Sequence, residues 1–579
     1  MIYNSKIKNK EKIIFDRIAV LVIIIFILAF SIIIRLIKIQ IFDHHYYTAL
    51  AKDQQEFFSE LLPNRGEIFI QELKENKLYS VATNRQYYLM YAVPVQVTKP
   101  REASNLIARM FQVDEEKIFQ QLIKENDVYE PLIHKVNDQQ KAEIEKLNLA
   151  GIKFMEENWR YYPEKSLASQ VLGFVGYQGN ERVGLYGLEG FFEKDLAGQK
   201  GATNFTRDAL GRLIPVADKN FQPAEDGVDL VLTIDRSIQY IACSALEKTV
   251  LKHGADQGTV IIIDPKTGAI LTMCNYPDFD PNEYNKVKNI SDYNNAAIFE
   301  AYEPGSIYKA ITMSMALDLG RLTPQSTYED TGEVKIAGFT IGNYDKKAHG
   351  IKTMTQVLEE SLNTGAIFAS EKVGNELFKK FTQDFGFGKQ TGITLETEIG
   401  GNISSLGKGD VYTATASYGQ GITVTPLQMI AAYGVFANQG KLMKPFIVAE
   451  RHYADGRVEK TEPQVIRQVV SPKTALTISG MLASVVKNGH AKGAQLDGYY
   501  VAGKTGTAQI ANPATGEYYA DRTNQTFIGF APLDDPRFVV LTKIVNPKGI
   551  SFAEGTAVPL FHEIGQFLVN YLQIPREIE

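Results

Sequence analysis

An uncharged stretch of 17 residues near the N-terminus, residues 18–34, restricts what this chain can fold into more than any other feature. Arg17 precedes it, and Arg35 and Lys38 follow it. A run this apolar can cross a bilayer core as a helix, because the flanking cationic side chains reach the polar interface. A cleaved signal peptide is the alternative, but the run is longer than a typical signal core and no small-residue cleavage site follows it. We therefore predict a transmembrane helix over 18–38.

The charges before this segment predict its orientation. Four lysines and one arginine precede it, at positions 6, 8, 10, 12 and 17. Positive charge is retained on the cytoplasmic side of a membrane. We expect residues 1–17 to form a cytoplasmic tail and the chain beyond about residue 40 to lie outside the cell membrane, as a single-pass protein.

Composition disfavours nucleic acid as a partner, and the two cysteines could be either free thiols or a disulfide. The 579 residues include 61 Lys and Arg against 67 Asp and Glu, a net charge of -6. A chain without basic excess is not expected to have nucleic acid as its main partner. The two cysteines, Cys243 and Cys274, lie in apolar runs. We interpret them as buried thiols rather than as a disulfide.

Sequence periodicity divides the extracytoplasmic part into two α+β domains. Residues 39–225 mix short strand-like pieces with helical periodicity between 101 and 148. The stretch "FQPAEDGVDL" interrupts this pattern and predicts a boundary at 226. In residues 226–579, strand patterns at both ends enclose a helical middle. This order predicts one antiparallel sheet, built from distant parts of the chain and covered by helices.

The pair Ser306 and Lys309 is the first candidate for chemistry. Ser-x-x-Lys occurs four times, beginning at residues 5, 306, 405 and 484, so the spacing alone identifies nothing. The copy at Ser306 follows a Pro-Gly break and begins a predicted helix. Unpaired N–H groups and the helix dipole there favour negative charge on the serine oxygen. Lys309 is predicted to lie on the same face of this helix.

A serine nucleophile with a lysine base requires that Lys309 be neutral. Burial or a second nearby cation would lower its pKa, so we expect another lysine close to it. Lys-Thr-Gly occurs at Lys266, in a predicted hairpin turn, and at Lys504, in "VAGKTGTAQI". Glycines around Lys504 leave little side-chain bulk on that strand, so a substrate backbone could lie along its edge.

Hydroxyl and amide groups accompany these lysines. Thr505 and Thr507 offer hydroxyl donors, and the N–H of Thr507 could form an oxyanion hole with that of Ser306. The stretch "EESLNTGAIFAS" places Ser361 and Asn363 in a polar break before a helix. Taken alone, Ser361 is interpreted as a helix cap.

The three motifs in this order, Ser-x-x-Lys, Ser-x-Asn and Lys-Thr-Gly, resemble the signature of penicillin-binding proteins and serine β-lactamases. Longer stretches resemble the transpeptidase domain of the class B penicillin-binding proteins: "YEPGSIYKA", "ESLNTG", "FGFGKQTGI", "SYGQGITVTPLQMIAAYGVFANQGKLMKP" and "VAGKTGTAQ". Others resemble that class's N-terminal pedestal: "PNRGEIF", "RYYPEKSLASQVLGFVG" and "GLYGLEGFFEKDLAGQKG". One stretch departs from the class, which continues from Arg65-Gly66 toward Asp-Arg-x-Gly where this chain has "EIFIQELKENK".

The resemblance implies an α+β fold in several parts. A penicillin-binding/serine β-lactamase-like transpeptidase domain, an antiparallel sheet with helical layers, is expected over 226–579. An α+β pedestal, similar to the dimerisation domain of these proteins, is expected over 39–225, after the transmembrane helix at 18–38.

The resemblance also implies a peptidoglycan D,D-transpeptidase. Ser306 would attack the D-Ala-D-Ala amide of a donor stem peptide and Lys309 would take its proton. Ser361 would relay a proton to the departing amine under the influence of Lys504, and Asn363 would bind the acyl side chain. The groups expected to hold the substrate carboxylate are those of Lys504, Thr505, Gly506 and Thr507.

No metal or cofactor is implied. The implied partners are peptidoglycan stem peptides, β-lactams that acylate Ser306, the membrane, a separate glycosyltransferase, and a division or elongation complex. The stretches "SLASQVLGFVG" and "GLYGLEGFFE" resemble the division branch more than the elongation branch.

Two other functions stay open at this point. The first is a D,D-carboxypeptidase or β-lactamase-like hydrolase on the same scaffold, which the long pedestal and the predicted anchor disfavour. The second is a catalytically silent scaffold for cell division, which the presence of every motif residue disfavours.

Overall fold

The computed structural model describes residues 22–36, 38, 57–61, 63–124, 127, 129–179, 181–207, 213–214, 224–512 and 514–578. Its strands are β1 (Phe57–Leu61), β2 (Ile68–Glu72), β3 (Lys77–Ala92), β4 (Glu130–Val136), β5 (Ile152–Tyr161), β6 (Phe174–Gln178), β7 (Glu181–Leu185), β8 (Gly201–Arg207), β9 (Leu213–Ile214), β10 (Asp229–Asp235), β11 (Gln257–Ile263), β12 (Ile270–Tyr276), β13 (Thr327–Asp330), β14 (Glu333–Ile336), β15 (Phe339–Gly342), β16 (Gly350–Thr353), β17 (Lys441–Met443), β18 (Val448–His452), β19 (Val458–Lys460), β20 (Val465–Gln468), β21 (Ala502–Ala511), β22 (Tyr518–Ala531) and β23 (Phe538–Val545).

The helices beyond residue 57 are Pro100–Phe111, Glu115–Leu122, Asp138–Lys146, Ser169–Leu172, Gly187–Phe191, Glu193–Ala197, Arg236–Lys252, Ala296–Phe299, Tyr308–Asp318, Met354–Glu359, Asn363–Val373, Asn375–Asp384, Asp410–Ser417, Pro426–Ala437, Pro472–Asn488 and Ala557–Tyr571. Short 3-10 turns are Pro94–Gln96, Pro281–Lys286, Ile290–Tyr293, Gly305–Ile307, Lys492–Ala494 and Ala553–Gly555.

Near the N-terminus, residues 22–36 are helical and exposed. Residues 18–21 and 37 of the predicted span, and the whole predicted tail 1–17, lie outside the described residues. In the part of the chain that the structure describes, we find no helix with both the length and the hydropathy for a membrane crossing. The transmembrane helix over 18–38 therefore stays a prediction.

The chain divides into two compact units, Met1–Pro63 with Gln199–Glu225, and Asn64–Gly198 with Asp226–Glu579. In the first unit, β8 pairs antiparallel with both β1 and β9.

The second unit contains a mixed sheet in the order β19-β18-β10-β2-β3-β4, with β5 also paired to β3. Strand β10 lies parallel to β2 and antiparallel to β18. Strands from both sides of residue 226 therefore share this sheet, although the sequence pattern changes there. The division into domains 39–225 and 226–579 stays a prediction. A sheet that takes strands from both parts does not show where one domain ends and the next begins.

A five-stranded antiparallel sheet, in the order β12-β11-β23-β22-β21, lies in the same unit. The prediction of one antiparallel sheet from distant parts of the chain is confirmed. The helices Arg236–Lys252 and Ala557–Tyr571 pack on each other and on this sheet, and Pro426–Ala437 packs on it as well. Seven of the eight residues of β23 are buried, so both faces of its strand are covered. Strand β21 lies at the edge of this sheet and pairs with β22 on one side.

The two cysteines form a disulfide, so their interpretation as free thiols is wrong. Cys243 lies on the helix Arg236–Lys252, which packs along β12, and Cys274 lies on β12. This packing brings their Cα atoms to 5.5 Å, within the range that a disulfide requires. Two apolar contexts 31 residues apart in sequence did not reveal this contact.

Candidate active site

Ser306 lies in the 3-10 turn Gly305–Ile307, which leads directly into the helix Tyr308–Asp318. The turn begins at Gly305, whose φ of +59° lies in the left-handed region that favours glycine. A Cβ atom at Gly305 would lie 3.1 Å from the Cβ atom of Ala508. Glycine therefore permits both the sharp turn and the close approach of strand β21 to the serine.

Two lysines converge on the hydroxyl of Ser361. The Nζ of Lys309 donates to the Ser361 carbonyl oxygen at 2.5 Å and to its Oγ at 3.2 Å. The Nζ of Lys504 donates to the same Oγ at 3.0 Å and to the Thr505 carbonyl oxygen at 3.2 Å. The two lysine side chains are buried, with Lys309 1% and Lys504 0% exposed. The prediction that a second lysine lies close to Lys309 is confirmed.

Burial lowers the pKa of both lysines. Burial, and next the positive charge of Lys504, lower the pKa of Lys309 well below its ordinary value. Burial lowers the pKa of Lys504 to about 8, against the opposing effect of the Glu554 carboxylate. At neutral pH this arrangement favours a neutral amine at Lys309 beside a charged ammonium at Lys504. A neutral amine can accept a proton from a nearby serine.

Ser361 is not a helix cap, so that interpretation is wrong. The residue that caps the helix Asn363–Val373 by position is Leu362, and it provides no side-chain acceptor. Ser361 itself has a φ of +56°, an uncommon conformation for a residue other than glycine. In this conformation its carbonyl oxygen and its hydroxyl both reach Lys309. Strained residues of this kind cluster at functional sites.

Strand β21 brings the Lys-Thr-Gly-Thr segment against the serine turn. A Cβ atom at Gly506 would lie 3.0 Å from the Cγ2 atom of Ile307 and 3.1 Å from the carbonyl oxygen of Pro304. Thr505 is buried, while the Oγ1 of Thr507 accepts a hydrogen bond from the N–H of Ala553 at 3.4 Å. An edge strand beside a nucleophile can pair with an extended peptide.

Asn363, the first residue of its helix, is tied to a different neighbour. Its Nδ2 donates to the carbonyl oxygen of Gly342 at 3.0 Å, and its backbone N–H donates to Oδ1 of Asn343 at 2.9 Å. The structure thus joins Lys309, Ser361 and Lys504 directly, whereas the side-chain amide of Asn363 bonds to Gly342, the last residue of β15.

The other copies of the motifs within the described residues have structural partners, whereas the copy at Ser5 lies outside those residues. Lys266 is exposed in its hairpin turn and forms an ion pair with Asp535. Ser405 donates to the carbonyl oxygen of Gly421, and Ser484 donates to a carboxylate oxygen of Glu359. None of these three contacts joins a serine to a lysine.

Sequence reasoning missed Glu303, which connects the serine turn to two other segments. Its Oε2 accepts a hydrogen bond from the hydroxyl of Tyr518 at 2.7 Å, and its Oε1 accepts one from the N–H of Gly421 at 2.8 Å. Burial raises the pKa of Glu303 above its ordinary value. Its place three residues before Ser306, next to the Pro-Gly break, was the available signal. The distant partners were not predictable from that position.

Comparison with known proteins adds an independent observation. A family model described as the penicillin binding protein transpeptidase domain matches residues 258–566. A second model, the penicillin-binding protein dimerisation domain, matches residues 60–232. Together they cover most of the described chain.

Three individual proteins illustrate the similarity. Stage V sporulation protein D of Bacillus subtilis is 35% identical over 555 residues, which cover 93% of this chain and 84% of that protein. The peptidoglycan D,D-transpeptidase FtsI homolog of Mesostigma viride is 29% identical and covers 98% of both chains. The crystal structure of penicillin-binding protein 3 from Mycobacterium tuberculosis, complexed with aztreonam, is 27% identical, covers 90% of this chain and 98% of that one, and superposes with a TM-score of 0.70.

Motif order, the lysine–serine–lysine geometry and these matches all agree, and the chain belongs to the class B penicillin-binding proteins.

Proposed function

We propose that this protein is a peptidoglycan D,D-transpeptidase that crosslinks stem peptides through an acyl-enzyme on Ser306. The observation that supports this most strongly is the Ser361 hydroxyl held between two buried lysines, of which Lys309 lies on the helix that follows the Ser306 turn. Burial and Lys504 make Lys309 a base at neutral pH. A relative of this chain, from Mesostigma viride, is named as a peptidoglycan D,D-transpeptidase.

Acylation begins with the Oγ of Ser306. The neutral amine of Lys309 takes the hydroxyl proton as Oγ bonds to the carbonyl carbon of the penultimate D-Ala. The C–N bond to the terminal D-Ala then breaks, and the Ser361 hydroxyl passes a proton to the departing amine. Lys309 and Lys504 both donate to that hydroxyl, so the proton that it gives up can be replaced from Lys309. Free D-Ala leaves, and Ser306 holds the acyl group as an ester.

Deacylation reverses these roles. An amine from a neighbouring stem peptide attacks the ester, its proton returns through the same groups to the Oγ of Ser306, and an amide crosslink forms. The N–H groups of Ser306 and Thr507 would stabilise the oxyanion in both steps.

The edge strand β21 supplies the remaining substrate contacts. Lys504 and the hydroxyls of Thr505 and Thr507 would bind the terminal carboxylate, and Gly506 lets the strand lie close against the serine turn. Asn363 would bind the amide of the acyl side chain. A β-lactam presents the same amide and carboxylate, so it would acylate Ser306 in place of the donor.

The segments before the catalytic domain suggest where the protein is located and which partner it needs. We propose a single membrane span over 18–38, with residues 1–17 in the cytoplasm and the catalytic domain outside the cell membrane. No segment between 40 and 225 resembles a glycosyltransferase, so glycan polymerisation would fall to a partner enzyme within a division or elongation complex.

Product analysis separates this function from the alternatives. Incubation with a stem peptide that ends in D-Ala-D-Ala and with an amine acceptor should yield an acceptor-linked peptide together with free D-Ala, both measured by mass spectrometry. A carboxypeptidase would release D-Ala by hydrolysis with no acceptor-linked product, and a silent scaffold would release none. Either of these outcomes would contradict the proposal.

The pH dependence of acylation provides a second prediction. Since burial and the charge of Lys504 hold the pKa of Lys309 well below its ordinary value, its base form extends to much lower pH than that of an ordinary lysine, and acylation by a fluorescent penicillin should decline on the acid side as Lys309 binds a proton. In Lys504→Met the neighbouring cation is absent, so Lys309 should bind a proton at higher pH and the acid limb should move upward. Lys266→Met, in the exposed copy of the motif, is the matched control and should leave the limb in place. An acid limb that stays in place in Lys504→Met would contradict this account of Lys309.

A further inference from the structure

The helix that begins at Asn363 lacks a cap from its own segment. The first N–H groups of a helix have no partner within it. Leu362, at the capping position, contributes no side-chain acceptor. The Oδ1 of Asn343, 20 residues earlier, instead accepts from the N–H of Asn363 at 2.9 Å and from that of Thr364 at 3.3 Å. The cap is therefore supplied by the small β-structure that contains β13 to β16.

Asp330 determines which way the Asn343 amide points. The Nδ2 of Asn343 donates to both carboxylate oxygens of Asp330, at 3.0 and 2.8 Å. A reversed amide would place its oxygen against that carboxylate and its NH₂ against the helix N–H groups, so the observed orientation is the favourable one.

The Asp330 carboxylate is buried and accepts hydrogen bonds from several other groups besides Asn343. It is 2% exposed and accepts from the N–H groups of Gly332 and His349 and from the hydroxyl of Thr364. A buried carboxylate with this many donors is held rigidly. Asp330 and Asn343 thus form a rigid support under the first turn of the helix.

Asn343 and its neighbour Gly342 each accept a hydrogen bond from Asn363. Asn343 holds its backbone N–H, and Gly342, the adjacent residue, accepts a hydrogen bond from its side-chain Nδ2. Ser361 lies two residues earlier, in the strained conformation that reaches both lysines. Because Asn363 is the first residue of this helix, a shift of the helix start would displace its side-chain amide.

We propose that Asn343, oriented by Asp330, is a positioning residue that sets the Asn363 amide for the acyl side chain of the substrate. This inference rests on the proposed function, because it concerns how that reaction selects its acyl donor. Neither Asn343 nor Asp330 touches the reacting atoms in this account. Their effect should therefore appear in selectivity for the acyl side chain more than in the chemical step itself.

Two β-lactams distinguish this effect from a general loss of folding. Benzylpenicillin has an amide side chain that Asn363 would bind, whereas 6-aminopenicillanic acid lacks it. Acylation rates for both can be measured with the full-length protein by competition with a fluorescent penicillin. In Asn343→Ala we expect the rate for benzylpenicillin to fall about tenfold more than the rate for 6-aminopenicillanic acid, as expected for the loss of one oriented hydrogen bond.

Two further variants complete the test. Asn137→Ala removes an asparagine that caps the helix Asp138–Lys146, far along the chain, and should leave both rates unchanged. Asn343→Asp retains an oxygen toward the helix N–H groups and can share a proton with Asp330, so at pH 6 it should recover at least half of the lost selectivity on a logarithmic scale.

Equal losses for both drugs in Asn343→Ala, unchanged rates, or no recovery in Asn343→Asp would overturn the proposal. If Asn343→Ala does not fold, Asn343→Leu, which has a similar volume and no acceptor, takes its place and is judged by the same tenfold difference between the two drugs. Failure of the wild-type protein to react with either drug would instead contradict the proposed function.

Discussion

Replacing Ser306 by alanine should abolish covalent labelling by a fluorescent penicillin and the formation of crosslinked product, with a loss of at least about 1,000-fold. The reason is chemical, because the acyl group has no other nucleophile to bond to in the proposed reaction. The removed hydroxyl belongs to half-buried Ser306, in a turn whose shape depends on Gly305 and on the packing of β21. The variant should therefore fold and melt like the wild-type protein.

The matched control for this variant is Ser405→Ala. Ser405 begins another Ser-x-x-Lys copy, but its hydroxyl donates to the carbonyl oxygen of Gly421 in a turn. Its loss should leave labelling unchanged. Persistent labelling of the folded Ser306→Ala protein would exclude Ser306 as the nucleophile.

Replacing Lys309 by methionine should produce the second large effect. Methionine has a similar length and suits a buried site, but it accepts no proton, and general-base catalysis is worth about 100- to 10,000-fold in rate. We expect acylation to slow by that factor. The measurement is the rate of acylation at saturating fluorescent penicillin, with thermal unfolding followed in parallel.

Lys309→Arg sharpens this prediction, because arginine keeps the positive charge and the hydrogen-bond donors but does not lose a proton near neutral pH. It should be as slow as Lys309→Met if the lysine acts as a base. Lys487→Met, in the copy at the end of the helix Pro472–Asn488, is the control and should react normally. Rapid acylation in Lys309→Arg would show that charge, and not proton transfer, is what the site requires.

Much of the catalytic sheet was predictable from local pattern. Strands β11 and β12 follow from two apolar runs around the turn at Asp264, and β21 to β23 follow from alternating or continuous apolar runs near the C-terminus. The antiparallel pairing of these distant segments follows because such runs need partners to bury both faces.

Contacts between distant segments were the part that sequence did not reveal. The disulfide between Cys243 and Cys274 depends on how one helix packs on β12. The pairing of β10 with β2 joins two stretches that the sequence pattern separates. Both depend on tertiary packing, which hydrophobic periodicity does not encode.

The site divides in the same way. Chemistry alone predicted a second lysine near Lys309, because a buried amine with a lowered pKa needs such surroundings. The left-handed turn at Ser361 and the cap that Asn343 provides were missed. Each depends on a neighbour far away in sequence, and a Ser-Leu-Asn motif looks the same with or without it.

The most direct test of the central claim is the site of the acyl adduct. Wild-type protein treated with benzylpenicillin and analysed by intact mass, followed by peptide mapping, should contain one penicilloyl group on the peptide that includes Ser306. An adduct on a peptide with Ser361 or Ser405 instead, or no adduct at all, would contradict the account.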